Sequence, residues 1–174
     1  HALLQKKVRI ELDYLRHNHI LDLSDERTTL LTTAIADHGN ATARRHIHES
    51  RTVLETLQQR GYRFVLVTNF YGNISAVLRG YGLSHFLPTI IESAVVGVRK
   101  PDPAIWQKGV EASGTSADRC IAIGDSFGKD ILPAREVGCS TIWFKGEEWE
   151  EKHYDESLPT RIITHLPDLL HLLP

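Results

Sequence analysis

From about residue 60 onward, short apolar runs alternate with amphipathic segments, and this alternation constrains the fold more than any other feature. Strands of a parallel sheet are covered on both faces, so they appear in sequence as short apolar runs. Alternation of such strands with helices predicts an α/β fold, a parallel sheet with helices on both faces. The predicted strands are 63–68, 89–93, 120–125, 140–144 and 161–165, and the predicted helices are 73–82, 103–114, 130–138 and 166–173.

The first part of the chain has helical spacing of its apolar residues and no strand signal before residue 63. We predict helices over 3–20, over 24–39 with a Ser/Asp cap and Gly39 as terminator, and over 50–61. These patterns predict two domains, a small helical region over 1–46 and an α/β core over 47–174.

Charge balance and composition exclude several function classes. The chain has 20 Lys and Arg against 22 Asp and Glu, a net charge of −2, which provides no basic surface for nucleic acid. No apolar run approaches the roughly 20 residues that a membrane span requires. Cys120 and Cys139 are isolated thiols beside apolar runs. Because isolated reduced cysteines are typical of a reducing compartment, we expect a cytoplasmic protein.

Polar residues follow three of the predicted strands. Ligands of doubly wound sheets bind beyond the carboxyl ends of the strands, so we expect these residues to converge at one edge. The first group is Thr68 with Asn69, the second is Lys100 in "GVRKPDP", and the third is Asp125, Ser126 and Asp130 in "IAIGDSFGKD".

A hydroxyl, an ammonium and two carboxylates form a chemically coherent set for phosphoryl transfer. Thr68 can donate to a phosphoryl oxygen, and Lys100 can act as a point charge on it. Asp125 and Asp130 supply the hard oxygen ligands that Mg²⁺ prefers. Each residue also has a structural explanation, since Lys100 could be an exposed loop lysine and Asp130 a helix cap.

Three segments, "VLVTN", "GVRKPDPAIW" and "IAIGDSFGKDILPAREVGCSTIWF", resemble motifs two, three and four of the haloacid dehalogenase-like (HAD) hydrolases. The resemblance covers about residues 50 to 165. It implies a Rossmann-like core with an inserted helical cap, for which the helical region 1–46 is suited. It also implies Mg²⁺-dependent hydrolysis of a small phosphorylated metabolite through an aspartyl-phosphate.

The resemblance assigns roles to individual residues of the predicted site. Thr68 would bind the transferring phosphoryl group, and Lys100 would stabilise the nucleophile and the phosphate. Asp125 and Asp130 would bind Mg²⁺. Asn69 and Ser126 are the predicted substrate-binding residues. The cap determines the substrate in this family, and we expect the residues just past Thr68 to line the pocket, namely Phe70, Tyr71 and Asn73.

One expected segment is not found in this sequence. HAD hydrolases open with a strand that ends in D-x-D and supplies the nucleophilic Asp, and this strand lies centrally, between the strands placed here at 63–68 and 120–125. "RIELDYL" (9–15) has a similar pair of acids but lies in a helical pattern. The chain begins with His1 and contains no Met. An N-terminal segment outside this sequence is the simplest explanation, and a degenerate protein is the alternative.

Several alternatives remain open beside a phosphatase. A catalytically inactive HAD-like interaction or regulatory module, or a fragment, follows if the missing strand never existed. A 2-haloacid dehalogenase requires no metal and is disfavoured by the acidic "GDS" segment. A phosphoacceptor receiver domain has its acids before the Thr and Lys, and a P-loop requires Ser or Thr after Lys129.

Overall fold

The computed structural model describes residues 2–146 and 153–174 of the 174-residue chain. The chain divides into two compact units, His1–Glu49 and Ser50–Pro174. The division falls inside a long helix, three residues beyond the end of the predicted helical region. Whether the first unit acts as a cap stays a prediction.

The first unit is built from α1 (Ala2–His17) and the first part of α2 (Asp25–Gln59). The prediction that a helix ends at Gly39 and another begins at residue 50 is wrong, because α2 continues without interruption. A Cβ at Gly39 would lie 3.2 Å from Leu4 Cδ2. Gly39 therefore permits close approach of α1 to α2, at the roughly 1 kcal/mol that glycine costs inside a helix.

The two helices of the first unit are joined by apolar packing and by ion pairs. Arg9 Nη1 of α1 donates to Thr29 Oγ1 of α2 at 3.0 Å, while Arg9 Nε bonds Asp13 Oδ2 of its own helix at 2.9 Å. Arg16 pairs with Asp25 at the start of α2, which lowers the pKa of the Asp25 carboxyl. The buried residues between these helices are Val8, Leu12, Thr28, Thr32 and Ala36.

The second unit alternates strands and helices, as the sequence predicts. Its strands are β1 (Val65–Thr68), β2 (Thr89–Glu92), β3 (Ile121–Gly124), β4 (Ser140–Phe144) and β5 (Arg161–Ile163). Its helices after α2 are α3 (Ile74–Gly80), α4 (Ser93–Val96), α5 (Pro103–Ser113), α6 (Leu132–Glu136) and α7 (Leu169–Leu172), with 3₁₀ turns at Ala117–Arg119 and Leu166–Asp168 and a π-helical turn at Phe127–Ile131.

Two of these elements depart from the sequence-based expectation. The helix predicted over 130–138 begins earlier, because the π-helical turn starts at Phe127 and leads into α6. Helix α4 directly after β2 was not predicted, since four residues are too few for a helical period to show.

The strands form two parallel sheets. β1 pairs with β2 from Val65↔Thr89 to Thr68↔Glu92, and β4 pairs with β3 on one side and β5 on the other. Among the described residues, β1 and β3 each have one partner strand only. Each of these two strands therefore presents an unpaired edge. The HAD resemblance predicts a central strand, the one that ends in D-x-D, between these two strands.

The core of this unit consists of apolar clusters between the sheets and the helices. Val53 and Leu57 of α2 pack with Ile142 of β4 and Leu169 of α7. A second cluster joins α5 to β3 and α6, and its buried members are Ile105, Trp106, Ala122, Ala134 and Cys139. Burial raises the pKa of the Cys139 thiol to about 11, with a smaller contribution from Cys120.

None of the helices in the described part of the chain combines the length and the apolar composition needed to cross a membrane.

The guanidinium of Arg60 holds the end of the chain, and its removal should destabilise the second unit. Arg60 Nη1 donates to Leu170 O at 2.7 Å and to Leu173 O at 2.5 Å, at the open end of α7. We expect Arg60→Ala to lower the free energy of unfolding by about 1 kcal/mol, measured by urea denaturation, because two partly exposed hydrogen bonds are lost.

Arg79→Ala is the control, because the exposed Arg79 guanidinium has no hydrogen-bond partner in residues 2–146 and 153–174. It should change the free energy of unfolding by less than about 0.5 kcal/mol. Equal losses in the two variants would contradict the role given to Arg60.

Candidate active site

The predicted site residues lie at or just beyond the carboxyl ends of β1 and β3 and in the loop that precedes α5. β1 ends at Thr68, and β3 ends at Gly124, immediately before Asp125. Lys100 lies in the segment between α4 and α5. A chain of hydrogen bonds connects these loops, so the expected convergence of three strand ends is observed.

The first connection joins the loop after β1 to the Lys100 loop. Asn69 Nδ2 donates to Lys100 O at 3.0 Å, and Lys100 N donates to Asn69 Oδ1 at 2.8 Å. Both polar groups of the Asn69 side chain are therefore used to fix the backbone of Lys100. The predicted role of Asn69 in substrate binding stays a prediction.

The second connection is a buried ion pair. Lys100 Nζ lies 2.6 Å from Asp130 Oδ1, with side-chain exposures of 15% and 4%. Ser126 N donates to the other carboxylate oxygen of Asp130 at 3.0 Å. The Lys100 ammonium also lies 5.3 Å from the centroid of the Trp106 ring, within cation–π range. The ammonium is thus oriented by a carboxylate and an aromatic ring.

Two buried tryptophans hold the loop after β3 from both sides. Trp143 Nε1 donates to Asp125 O at 3.0 Å, and Trp106 Nε1 donates to Lys129 O at 3.2 Å. Sequence analysis places neither residue at the site, because an indole next to an apolar run indicates core packing. Nothing in the sequence specifies which carbonyl its N–H will meet.

Asp125 and Ser126 occupy different environments. Asp125 is exposed, and its carboxylate has no hydrogen-bond or ion-pair partner among the described residues. Ser126 caps the π-helical turn, because its Oγ accepts from Lys129 N at 3.3 Å. The described residues contain no group of three or more His, Cys, Asp or Glu side chains placed to hold a metal ion. Asp125 is therefore an available oxygen donor, but not a complete metal site.

The loop after β1 carries Thr68 and a set of contacts that sequence analysis missed. Thr68 is half-buried, and within residues 2–146 and 153–174 its hydroxyl has no hydrogen-bond partner. The buried carboxylate of Glu92 accepts from Gly72 N at 2.7 Å and from Ile74 N at 3.3 Å. The sequence does not indicate this contact, because it depends on the pairing of β1 with β2, which places Glu92 opposite Thr68.

The aromatic residues past Thr68 have unequal exposure. The rings of Phe70 and Tyr71 lie 5.4 Å apart, and Tyr71 is 90% exposed. Asn73 precedes α3 without a side-chain hydrogen bond to the helix. That these three residues line a substrate pocket stays a prediction.

A groove of about 350 Å³ lies between the unpaired edges of β1 and β3. Val65 and Val67 line it on one side, and Ile121 and Ile123 line it on the other. Unpaired backbone groups at such edges tend to recruit another strand. The groove therefore lies where a further parallel strand would join the two sheets.

Comparison with known protein families identifies the family to which this chain belongs. The model of the haloacid dehalogenase-like hydrolases matches residues 4–138, which is more than half of the chain. The chain belongs to the haloacid dehalogenase-like hydrolase family. The α/β fold expected for this HAD family is confirmed.

Similar proteins differ from this chain in length. A glyceraldehyde 3-phosphate phosphatase from Pyrococcus furiosus is 31% identical over 165 residues, which cover 92% of this chain and 68% of the relative. The haloacid dehalogenase-like hydrolase domain-containing protein 3 from Danio rerio is 30% identical over 121 residues, 70% of this chain and 50% of the relative. The chain thus spans about half to two thirds of these relatives.

Structural comparison agrees with the fold. The crystal structure of YfnB from Bacillus subtilis bound to magnesium superimposes with a TM-score of 0.62 and 22% identity, covering 97% of this chain and 80% of YfnB. At this level of identity the likeness establishes the fold alone.

Gly124 has no side chain, and this leaves the space that Asp130 occupies. A larger residue at position 124 should therefore disrupt the Lys100–Asp130 ion pair. A Cβ at Gly124 would lie 2.4 Å from Asp130 Cβ and 2.5 Å from its Cγ. We expect Gly124→Ala to lower the free energy of unfolding by about 2 kcal/mol in urea denaturation, because a buried side chain must move.

Gly128→Ala, four residues further along, is the matched control. A Cβ at Gly128 meets nothing within 4 Å. It should leave the free energy of unfolding unchanged within about 0.5 kcal/mol. A loss at position 128 as large as that at position 124 would show that the contact with Asp130 is not the cause.

Proposed function

We propose that the protein is a Mg²⁺-dependent phosphomonoester hydrolase that acts on a small phosphorylated metabolite through an aspartyl-phosphate. The observation that carries the proposal is the buried Lys100–Asp130 ion pair, which links the segment before α5 to the loop after β3, while Asn69 joins the loop after β1 to the Lys100 backbone. The substrate proposed first is glyceraldehyde 3-phosphate, after the Pyrococcus furiosus relative.

Thr68 and Lys100 have the chemistry to bind a transferring phosphoryl group. The Thr68 hydroxyl can donate to a phosphoryl oxygen. Lys100 presents a positive charge that Asp130 holds in place at 2.6 Å, so little reorganisation is needed when charge develops on the phosphoryl oxygens. Asn69 acts here by fixing the Lys100 backbone, and Ser126 by fixing the loop that carries Asp125.

Asp125 is the residue that would hold Mg²⁺. Its carboxylate is exposed at the carboxyl end of β3, and Mg²⁺ takes only one or two protein carboxylates with waters. Both oxygens of Asp130 are already bonded, to Lys100 and to Ser126 N, which favours an ion-pair role over the predicted role as a metal ligand. Bound Mg²⁺ would neutralise charge on the phosphoryl oxygens.

The nucleophile is proposed to be an Asp at the end of a strand that occupies the groove between β1 and β3. A strand running parallel to both would satisfy their unpaired edges and place its carboxyl end beside Thr68 and Asp125. The phosphoryl group would pass to this carboxylate as its bond to the substrate oxygen breaks, and that oxygen would take a proton from solvent and leave as the alcohol. Water would then attack the aspartyl-phosphate, releasing phosphate and restoring the carboxylate.

A second candidate is a catalytically inactive HAD-like module. The observation that favours it is the pair of unpaired edges on β1 and β3, since the described residues contain no strand that fills the groove. A dehalogenase is less well supported, because the exposed Asp125 carboxylate has no evident role in metal-free chemistry.

We also propose a cytoplasmic location without nucleic-acid or membrane partners. The free thiols of Cys120 and Cys139 and the near-neutral charge support it.

The test compares the chain with the same chain preceded by a linker and a strand that ends in Asp-x-Asp. We expect only the extended protein to release phosphate from glyceraldehyde 3-phosphate or p-nitrophenyl phosphate with Mg²⁺. In that protein, Thr68→Val, Lys100→Met and Asp125→Asn should each lower kcat by about 100-fold or more, because the first two remove contacts to the phosphoryl group and the third removes a ligand of Mg²⁺.

Lys108→Met on α5 is the control and should retain full activity. A folded extended protein that is inactive with Mg²⁺ would favour the inactive module. Activity that persists in excess chelator would contradict the metal requirement.

A further inference from the structure

A buried glutamate lies beside the loop to which the proposed function assigns phosphate binding. Glu92 is the last residue of β2 and pairs in register with Thr68. It is 5% exposed, and a carboxylate buried to this extent must have hydrogen-bond donors to offset the loss of water. Its donors identify the segment of the chain on which it acts.

The donors are backbone N–H groups of the loop between β1 and α3 and of the first residue of α3. Glu92 Oε1 accepts from Gly72 N at 2.7 Å and from Ile74 N at 3.3 Å. The adjacent Ser93 Oγ donates to Phe70 O at 3.3 Å. Three hydrogen bonds from the junction of β2 and α4 thus fix the segment between Thr68 and the start of α3.

Glu92 supplies a hydrogen bond at the start of α3 that no local side chain provides. Asn73 occupies the N-cap position of α3, but its side chain makes no hydrogen bond to the helix. The first N–H of α3, that of Ile74, is satisfied by Glu92 instead. Gly72, with a φ of 90°, lies in the left-handed region. The conformation of the loop therefore depends on a side chain from another strand.

The part of the loop closest to Thr68 is left free by this arrangement. In the described chain, the N–H groups of Phe70 and Tyr71 have no acceptor, whereas those of Gly72 and Ile74 are bonded to Glu92. N–H groups beside a hydroxyl can together receive the oxygens of a phosphate.

We propose that Glu92 is a positioning residue for phosphate binding. It holds residues 69–73 so that the Thr68 hydroxyl and the free N–H groups of the loop face the phosphoryl group. The inference rests on the proposed function, but it concerns a residue outside the predicted set of catalytic, metal-binding and substrate-binding residues.

The first test measures the loop directly, by amide hydrogen exchange in NMR spectra of the whole chain. In Glu92→Thr, which keeps a strand-forming residue but cannot reach the loop, the Gly72 and Ile74 amides should exchange about tenfold faster or more. The Val67 amide in β1 should keep its rate. Unchanged exchange at Gly72 and Ile74 would overturn the proposal.

The second test measures affinity for inorganic phosphate in the presence of Mg²⁺ by calorimetry. Glu92→Thr should bind phosphate about tenfold more weakly than the unaltered chain. Glu92→Gln, which keeps an oxygen acceptor, should bind within about threefold. Glu111→Gln, an exposed residue of α5, is the control for loss of a carboxylate and should bind as the unaltered chain does.

The outcomes separate this inference from the proposed function. If neither the unaltered chain nor the chain extended by the Asp-x-Asp strand binds phosphate, the proposed function fails and the positioning role fails with it. If only the extended chain binds phosphate, the Glu92 variants are compared in that chain. If the unaltered chain binds phosphate and Glu92→Thr binds it equally well, the positioning role alone is overturned.

Glu92→Gln decides the question if Glu92→Thr does not fold. A neutral acceptor polarises the donor less, so the Gly72 amide proton should shift upfield while phosphate affinity stays within about threefold. An unmoved Gly72 signal would overturn the proposal.

Discussion

The site depends on one interaction, the ion pair between Lys100 and Asp130. Two charges with side-chain exposures of 15% and 4% have lost most of their hydration, and the pair is tolerable only because every charged atom has a partner. Three further residues support the pair. Ser126 N donates to the second oxygen of the Asp130 carboxylate, and the Trp106 ring lies within cation–π range of the Lys100 ammonium. Asn69 accepts a hydrogen bond from the backbone N–H of Lys100. The absence of a side chain at Gly124 lets Asp130 come this close to the end of β3. The pair, together with the Asn69 hydrogen bonds to Lys100, therefore determines where the loops after β1 and β3 lie relative to each other.

The second constraint is the unfinished pairing of the sheet. β1 and β3 both have a partner on one side and border the same apolar groove on the other. Parallel strands are ordinarily buried on both faces and paired on both edges unless they end the sheet. A strand in this groove would convert two small sheets into one and bring its carboxyl end to the loops that the ion pair holds. In the proposed enzyme, the same strand would therefore both complete the sheet and supply the nucleophile.

Sequence patterns predict those parts of the structure that depend on local periodicity or on residue type at strand ends. The strand at 140–144 is found as predicted, and Thr68, Lys100 and Asp125 all lie at the expected edge. What the sequence could not indicate depends on distant partners. Gly39 resembles a helix terminator, yet it is a packing position against Leu4. Glu92 ends an apolar strand without any motif, and its role follows only from its contacts with Gly72 and Ile74. The hydrogen bonds of the Trp106 and Trp143 indoles also cannot be predicted from the spacing of apolar residues.

A double-mutant cycle on the ion pair tests the central claim most directly. Lys100→Met, Asp130→Asn and the double variant would be compared with the unaltered chain in urea denaturation. If the pair organises the site, each single variant leaves a buried charge or dipole without its partner and loses about 3 kcal/mol of unfolding free energy. The double variant should then lose less than the sum, with a coupling energy of about 1.5 kcal/mol or more. Additive losses would contradict the account, because they would mean that Lys100 and Asp130 contribute independently and that the loops are held by other contacts.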